Sequence, residues 1–200
     1  MNGFQRRTEQ KKNNIMKAAV ELFEVRGFKH VGIPEIARKA GVSPVTIYNH
    51  FGSKDMLVHE VTKSTFSEII EKFQVILKKG GKFPEKLESV VYLTTTLASR
   101  FQGELFGSAM LGDAEIRQLE ETVWKKERQK LIVRLFNQGK KQGYISHKLS
   151  QKSIEIFMEI FRRGIISDRS LIGAIEHNPK LFHDLVFLFL YGLDGEIAPV

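Results

Sequence analysis

The 200-residue sequence predicts an all-α fold: three short helices, a long connecting helix, then a body of five or six helices. Three observations carry this expectation. Apolar residues recur at spacings of three and four along most of the chain, the period of a helix with one buried face. No stretch alternates strictly enough between apolar and polar to suggest a sheet. Glycines and prolines mark the ends of the periodic segments, where a helix needs positive φ or can spare an N–H.

The first helix is expected over residues 8–26, where Ile15, Ala18, Ala19, Leu22 and Phe23 form one apolar face and Gly27 ends it. Arg6 and Arg7 precede that helix, either as a basic arm or, the favoured reading, as a solubilising tail. A short second helix, 33–40, has the buried stripe Ile33, Ile36, Ala37 and Ala40, and Gly41 breaks it. Ser43 can cap a third helix with Pro44 in its first turn, where a missing N–H costs nothing. Ile47, Tyr48 and Phe51 supply its inward side. The fourth helix starts after Gly52, with Ser53 as cap and Asp55 in the anion-favouring first turn, and continues to about residue 79. The segment from Gly80 to Pro84 is a break. Further helices are expected at 84–101, 104–111, 113–142, 150–168 and 178–192. Two domains follow, 1–53 and 54–200.

Composition narrows the function. A hydrophobic fraction of 42% and a charged fraction of 27% are those of an ordinary globular protein. The absence of cysteine excludes disulfides, thiolate catalysis and thiolate metal sites. The polar start, MNGFQRRTEQKKNN, has no signal-peptide character. The most apolar stretch, 181–193, is too short to span a bilayer and carries His183 and Asp184. A soluble cytoplasmic protein with no membrane partner is expected. Residues 1–63 hold 11 Lys and Arg against 6 Asp and Glu, so most of the formal net charge of +8 sits in the first third. That asymmetry suggests a polyanion as its partner.

Residues 33–51, IPEIARKAGVSPVTIYNHF, sharpen the suggestion. Two short helices held at a steep angle need a small residue in the first, a glycine at the turn and apolar residues locking the second. Ala37, Gly41, Val42 and Ile47 meet those needs. The outward residues are Ser43, Pro44, Thr46, Tyr48, Asn49 and His50, with Lys54 beyond: hydrogen-bonding groups and cations, not a solvated Glu/Lys face.

Over residues 8–66 the sequence resembles the DNA-binding domain of the TetR (tetracycline-repressor-like) family. The resemblance rests on Ile36-Ala37, Ala40-Gly41-Val42-Ser43, Tyr48, His50-Phe51, Lys54-Asp55 and Leu57, together with Ala18-Ala19, Leu22-Phe23 and Gly27-Phe28. It implies that helix 44–51 enters the major groove of operator DNA. Thr46 and Asn49 would face base edges, and Pro44 and Val45 would touch a thymine methyl. Tyr48, His50 and Lys54 would hold phosphates, with Ser43 both capping and near the backbone. Two positions depart from the family pattern. Val31-Gly32 stands where a hydroxyl residue commonly opens the second helix, so one implied phosphate contact lacks its hydroxyl. Val45 is bulkier than the usual glycine or alanine, which should alter base preference without abolishing binding.

One reading helix covers few base pairs, so such modules work in pairs on palindromes. Helices 150–168 and 178–192 are apolar on nearly every face, and contact with a second subunit would bury them. Phe157, Phe161, Leu185, Leu188 and Phe189 are the candidate homodimer interface, the alternative being a core within one subunit. The resemblance also implies a pocket for a small effector among the middle helices, with Phe66, Phe73, Tyr92, Phe101, Phe106, Met110 and Trp124 as candidate walls. The scarcity of charge there favours a hydrophobic or amphipathic effector. A repressor released by its ligand is the leading expectation; a DNA-binding factor whose body recruits another protein is the alternative. Catalysis, metal and cofactor are not expected. The six histidines lack metal-ligand spacing, and Gly80-Gly81-Lys82 lacks the first glycine and the hydroxyl of a phosphate loop.

Overall fold

A computed structural model describes residues 2–100, 124–167 and 169–191. The described elements are all helical: α1 (Gly3–Arg26), α2 (Ile33–Ala40), α3 (Pro44–Phe51), α4 (Lys54–Lys78), α5 (Phe83–Arg100), α6 (Lys125–Lys141), α7 (Gln151–Ser167), α8 (Arg169–His177) and α9 (Pro179–Tyr191). The expected helix at 104–111, and the part of 113–142 before residue 124, lie outside the described residues. Contacts divide the chain into two compact units, and the division falls inside α4, between Phe66 and Ser67. Among the described residues no helix is long and apolar enough to cross a membrane.

In the first unit α1 begins five residues earlier than the periodicity predicts. Asn2 and Gln5 form a reciprocal capping box: the Gln5 N–H donates to Asn2 Oδ1 at 2.9 Å, and the Asn2 N–H donates to Gln5 Oε1 at 2.9 Å. The box satisfies two orphan donors and lets a largely polar segment start a helix. Arg6 and Arg7 are therefore helical, which corrects the reading of a loose tail; Arg7 Nε donates to the Gly3 carbonyl at 3.2 Å. Downstream, Ile15, Ala19, Phe23, Ile36, Ile47 and Leu57 are fully or almost fully buried. Each large aliphatic or aromatic side chain hidden there contributes about 1.5–3 kcal/mol relative to exposure. Ser53 caps α4 by accepting from the Met56 N–H at 3.0 Å.

The second unit is built around Phe73, Leu77, Phe83, Leu87, Leu135 and Phe136, closed by Ile154, Met158, Phe182 and Val186. Residues 169–177, which the sequence pattern leaves unassigned, form α8 and place Ile175 in this core. A polar pin joins three helix ends. Leu77, in the last turn of α4, offers a carbonyl that accepts from Gln138 Nε2 at 3.1 Å and from Lys86 Nζ at 3.3 Å. Lys86 also donates to Gln138 Oε1 at 2.8 Å, and the Phe83 N–H donates to Gln142 Oε1 at 2.7 Å. A buried lysine at a helix C-terminus is favourable because carbonyls and macrodipole both welcome the cation. Gly139 lets the Phe83 ring lie against α6: a Cβ there would fall 2.8 Å from Phe83 Cδ2 and 2.9 Å from Ile145 Cγ1.

Gly139→Ala should therefore destabilise the protein. Overpacking costs about 1–3 kcal/mol, against at most about 1 kcal/mol gained in helix propensity. Urea denaturation should show a lowered midpoint with unchanged slope; a raised midpoint would contradict this packing.

Candidate functional site

The turn between α2 and α3 is built by backbone geometry. Gly41 sits in the left-handed region at φ 68°, ψ 34°. Its N–H reaches the Arg38 carbonyl at 3.3 Å while the Val42 N–H reaches the Ala37 carbonyl at 3.0 Å. That crossed pair closes α2 and redirects the chain within two residues. Ser43, extended at φ −77°, ψ 152°, then caps α3 by accepting from the Thr46 N–H at 3.2 Å. The two hydroxyls lie 2.9 Å apart, and either can be the donor.

Burial then sorts the faces of α3. Ile47 and Phe51 are buried, and these two hold the helix to the unit. Ser43, Pro44, Val45, Tyr48 and Asn49 are exposed, Val45 at 64% and Tyr48 at 50%. Thr46, His50 and Lys54 are half-buried at the margin of that face. Tyr48 therefore does not share the inward side with Ile47 and Phe51, as the periodicity suggests. In a helix of 8 residues positions 44, 45, 48 and 49 fall together, one turn apart.

Ionic contacts fix the neighbours of this surface. Arg26 of α1 pairs with Glu35 of α2 and donates through Nη2 to the His30 carbonyl at 3.0 Å. Glu21 meets Lys39 at 2.9 Å. The hydrogen bond and charge of Lys39, helped by Lys17, outweigh desolvation and hold the Glu21 carboxyl below the usual carboxylate range. This pair thus favours the fold above that range and loses its effect as the pH falls through it. Lys12, which no sequence motif singles out, lies 5.9 Å from the Phe51 ring centroid and 3.9 Å from Glu60. It links α1 to α3 and α4 by contacts too distant in sequence for any local pattern to reveal.

The second unit contains a cavity of about 440 Å³ between α4, α5, α6 and α7. Phe73 and Trp124 line it, with Val90, Val91, Ile132 and Met158. Tyr92 is exposed and packs edge-on to Phe182, away from the cavity lining, and Phe66 is buried in the first unit. Phe101, Phe106 and Met110 lie outside the described residues. The charged lining, Lys125, Arg128, Lys152, Glu155, Glu159 and Arg163, comes from α6 and α7 and is absent from the sequence-based list of walls. Pattern reading favours aromatics as walls; it misses charges whose helices converge only in the fold.

The two C-terminal helices carry an apolar surface. Phe157 is 51% exposed, Ile160 64% and Leu188 42%. Phe161, Leu185 and Phe189 are half-buried against the core. The Phe189 ring lies 4.8 Å from Phe161 and 5.0 Å from Phe157, so these three already pack within one chain.

Residues 15–61 match the sequence model of the family described as "Bacterial regulatory proteins, tetR family". Residues 15–61 thus form a domain of this family. This TetR-type domain coincides with the turn, cap and exposed helix just described. A relative that spans nearly the whole chain is the uncharacterized HTH-type transcriptional regulator YdgC of Bacillus subtilis, 23% identical over 91% of this chain and 92% of that protein. Several other relatives are matched over less than half of their length. Among solved structures, the fatty acid degradation regulator FadR from Bacillus halodurans has a TM-score of 0.69 at 19% identity, covering 93% of this chain and 97% of that one. FadR from Bacillus subtilis in complex with stearoyl-CoA has a TM-score of 0.67 at 21% identity, covering 90% and 98%. The matched domain marks the chain as a DNA-binding transcriptional regulator. Among the described residues no group of three or more His, Cys, Asp or Glu could hold a metal ion.

Ser43→Ala should lower stability by about 1 kcal/mol, because the Thr46 N–H loses its cap. Ser43→Asp, which restores an acceptor, should recover most of that loss in the same denaturation experiment. Equal stability of all three proteins would show that the cap contributes nothing.

Proposed function

We propose that this regulator is a homodimeric repressor that binds a palindromic operator through α3 and is released by a small hydrophobic or amphipathic effector in the cavity. The observation that carries the reading is the outward face of α3. An exposed valine, proline, tyrosine and asparagine on a helix anchored by Ile47 and Phe51 have no structural use within the chain. They suit a groove. Pro44 and Val45 would meet thymine methyls, and Thr46 and Asn49 base edges. Tyr48, His50, Lys54 and the Ser43 hydroxyl would meet phosphates.

The exposed Phe157, Ile160 and Leu188 support a dimer, since monomers rarely leave so many large apolar side chains together in water. Phe161, Leu185 and Phe189 would back that interface from inside their own chain. A long acyl ligand in a protein of similar fold supports an apolar-tailed effector. Helix α4 is the suited transmitter: it begins at Lys54 on the reading surface and carries Phe73 of the cavity wall. On this reading the protein works in the cytoplasm, with its DNA.

Selection of random duplexes on the purified protein, followed by titration at several salt concentrations, tests the reading. It should enrich a palindrome bound by two chains; salt-sensitive binding without enrichment would favour a factor whose body recruits a protein. On the selected site, Tyr48→Ala with Lys54→Ala should weaken binding to all sequences alike and flatten the salt dependence. Asn49→Ala should instead cost about 1–3 kcal/mol and relax the preference at one position. In sedimentation, Leu188→Glu, alone and with Phe157→Glu, should shift dimers to monomers. A dimer unchanged by both would refute the interface.

A further inference from the structure

The first turns of α1 contribute little to the core. Residues 3–14 lie before the stretch that matches the family's sequence model, 15–61. Ile15 is the first described side chain of α1 to be buried, and Arg6, Arg7 and Lys11 are exposed. A helical segment that buries so little must hold its shape against conformational entropy, here with the Asn2–Gln5 box.

Its charge is also unfavourably placed. The segment carries four cations, Arg6, Arg7, Lys11 and Lys12, against one carboxylate, Glu9. Arg6 and Arg7 stand in the first two turns, where the macrodipole disfavours positive charge, and the first turn holds no acid. Among the described residues no acid pairs with Arg6, Arg7 or Lys11; the Arg7 guanidinium bonds the Gly3 carbonyl of its own helix.

Position decides what this segment meets. Lys12 Nζ lies 5.9 Å from the centroid of the Phe51 ring and 3.9 Å from Glu60. Helix α1 therefore passes the C-terminal end of α3, the end that carries His50 and leads to Lys54. Lys11 and Arg7 stand one turn apart on one face, about 6 Å along the axis, with Arg6 beside them.

We propose that residues 6–11 of α1 are a second DNA-binding element, whose Arg6, Arg7 and Lys11 hold phosphates of the duplex that α3 reads. Lys12 is a positioning residue: its contacts with Phe51 and Glu60 keep α1 against α3 and α4 and so aim the row. A polyanion offsets the repulsion between these cations and the macrodipole, and the displaced counterions add to the gain. Phosphate contacts carry no base information, so this element adds affinity and leaves sequence preference to α3. The proposal rests on the reading that α3 binds DNA, and it adds a second surface for the same partner.

The full-length protein would be titrated with its selected duplex over a series of salt concentrations. Arg6→Gln with Arg7→Gln and Lys11→Gln keeps residues of similar helix propensity. This triple variant should bind at least about tenfold more weakly at low salt. The slope of log affinity against log salt should become shallower by about 2 to 3, as the loss of two or three phosphate contacts requires. The variant should select the same palindrome, and its thermal midpoint should not fall, because the cations removed oppose the macrodipole. Lys78→Gln with Lys79→Gln and Lys141→Gln removes equal charge from exposed positions of the second unit and should leave affinity and slope unchanged. Wild-type affinity and slope in the α1 variant would overturn the proposal and leave the segment to another partner. Equal losses in both variants would overturn the placement in favour of net charge alone, and a lowered midpoint would make the role structural. A wild-type protein that selects no duplex would overturn the reading of α3 beneath it.

Discussion

Two helices of 8 residues, α2 and α3, cannot hold their shape alone, and the outward face of α3 depends on what holds them. A helix of two turns has barely begun to repay its nucleation cost. The side chains of Ile36, Ala37, Ile47 and Phe51 repay it by burial, and the crossed carbonyl bonds at Gly41 fix the direction in which α3 leaves. Once that direction is set, positions 44, 45, 48 and 49 have nowhere to point but outward. Exposure of those residues is thus a consequence of anchoring, not of any preference of tyrosine or valine for water.

The second unit solves a different problem. Its core aromatics are bulky, and Phe83 fits against α6 only because Gly139 offers no side chain. Around this contact the last turn of α4, the first turn of α5 and the end of α6 are tied by Lys86, Gln138 and Gln142 through bonds that span up to 61 residues of sequence. Leu77 has a carbonyl that needs partners at a helix end, and α6 delivers them. The end of α4 is consequently fixed by polar bonds of defined direction, whereas Phe73, one turn earlier, meets a cavity.

What the sequence makes legible is local. Turn glycine, cap serine, buried stripe and exposed face in the first unit all follow from spacing within twenty residues, and α2 and α3 coincide with their expected bounds. The start of α1 escapes because its signal, Asn2 with Gln5, is polar, and hydrophobic periodicity is blind to it. With it, Arg6 and Arg7 pass from a supposed loose segment to a rigid helix. The cavity escapes further. Trp124 and Phe73 can be named from composition, but Arg128 and Glu159 lie 31 residues apart and meet only because α6 and α7 pack side by side. Tyr92, an equally plausible aromatic in sequence, faces out because its helix turns the wrong side to the cavity. Only coordinates choose between faces of a helix that is apolar on more than one.

The hydroxyls of Ser43 and Thr46, 2.9 Å apart, form a pair in which either can be the donor. One hydroxyl proton lies between them, and the other stays free to turn. If Ser43 donates, the Thr46 proton is left to point outward; if Thr46 donates, the free proton belongs to Ser43. The first turn of α3 can therefore move its free hydroxyl proton from one of these oxygens to the other without moving a heavy atom. A surface with such ambivalent polarity is lenient there, accepting either kind of edge at little difference in cost. On the proposed reading, discrimination would then rest on the Asn49 amide, which offers a donor and an acceptor at once.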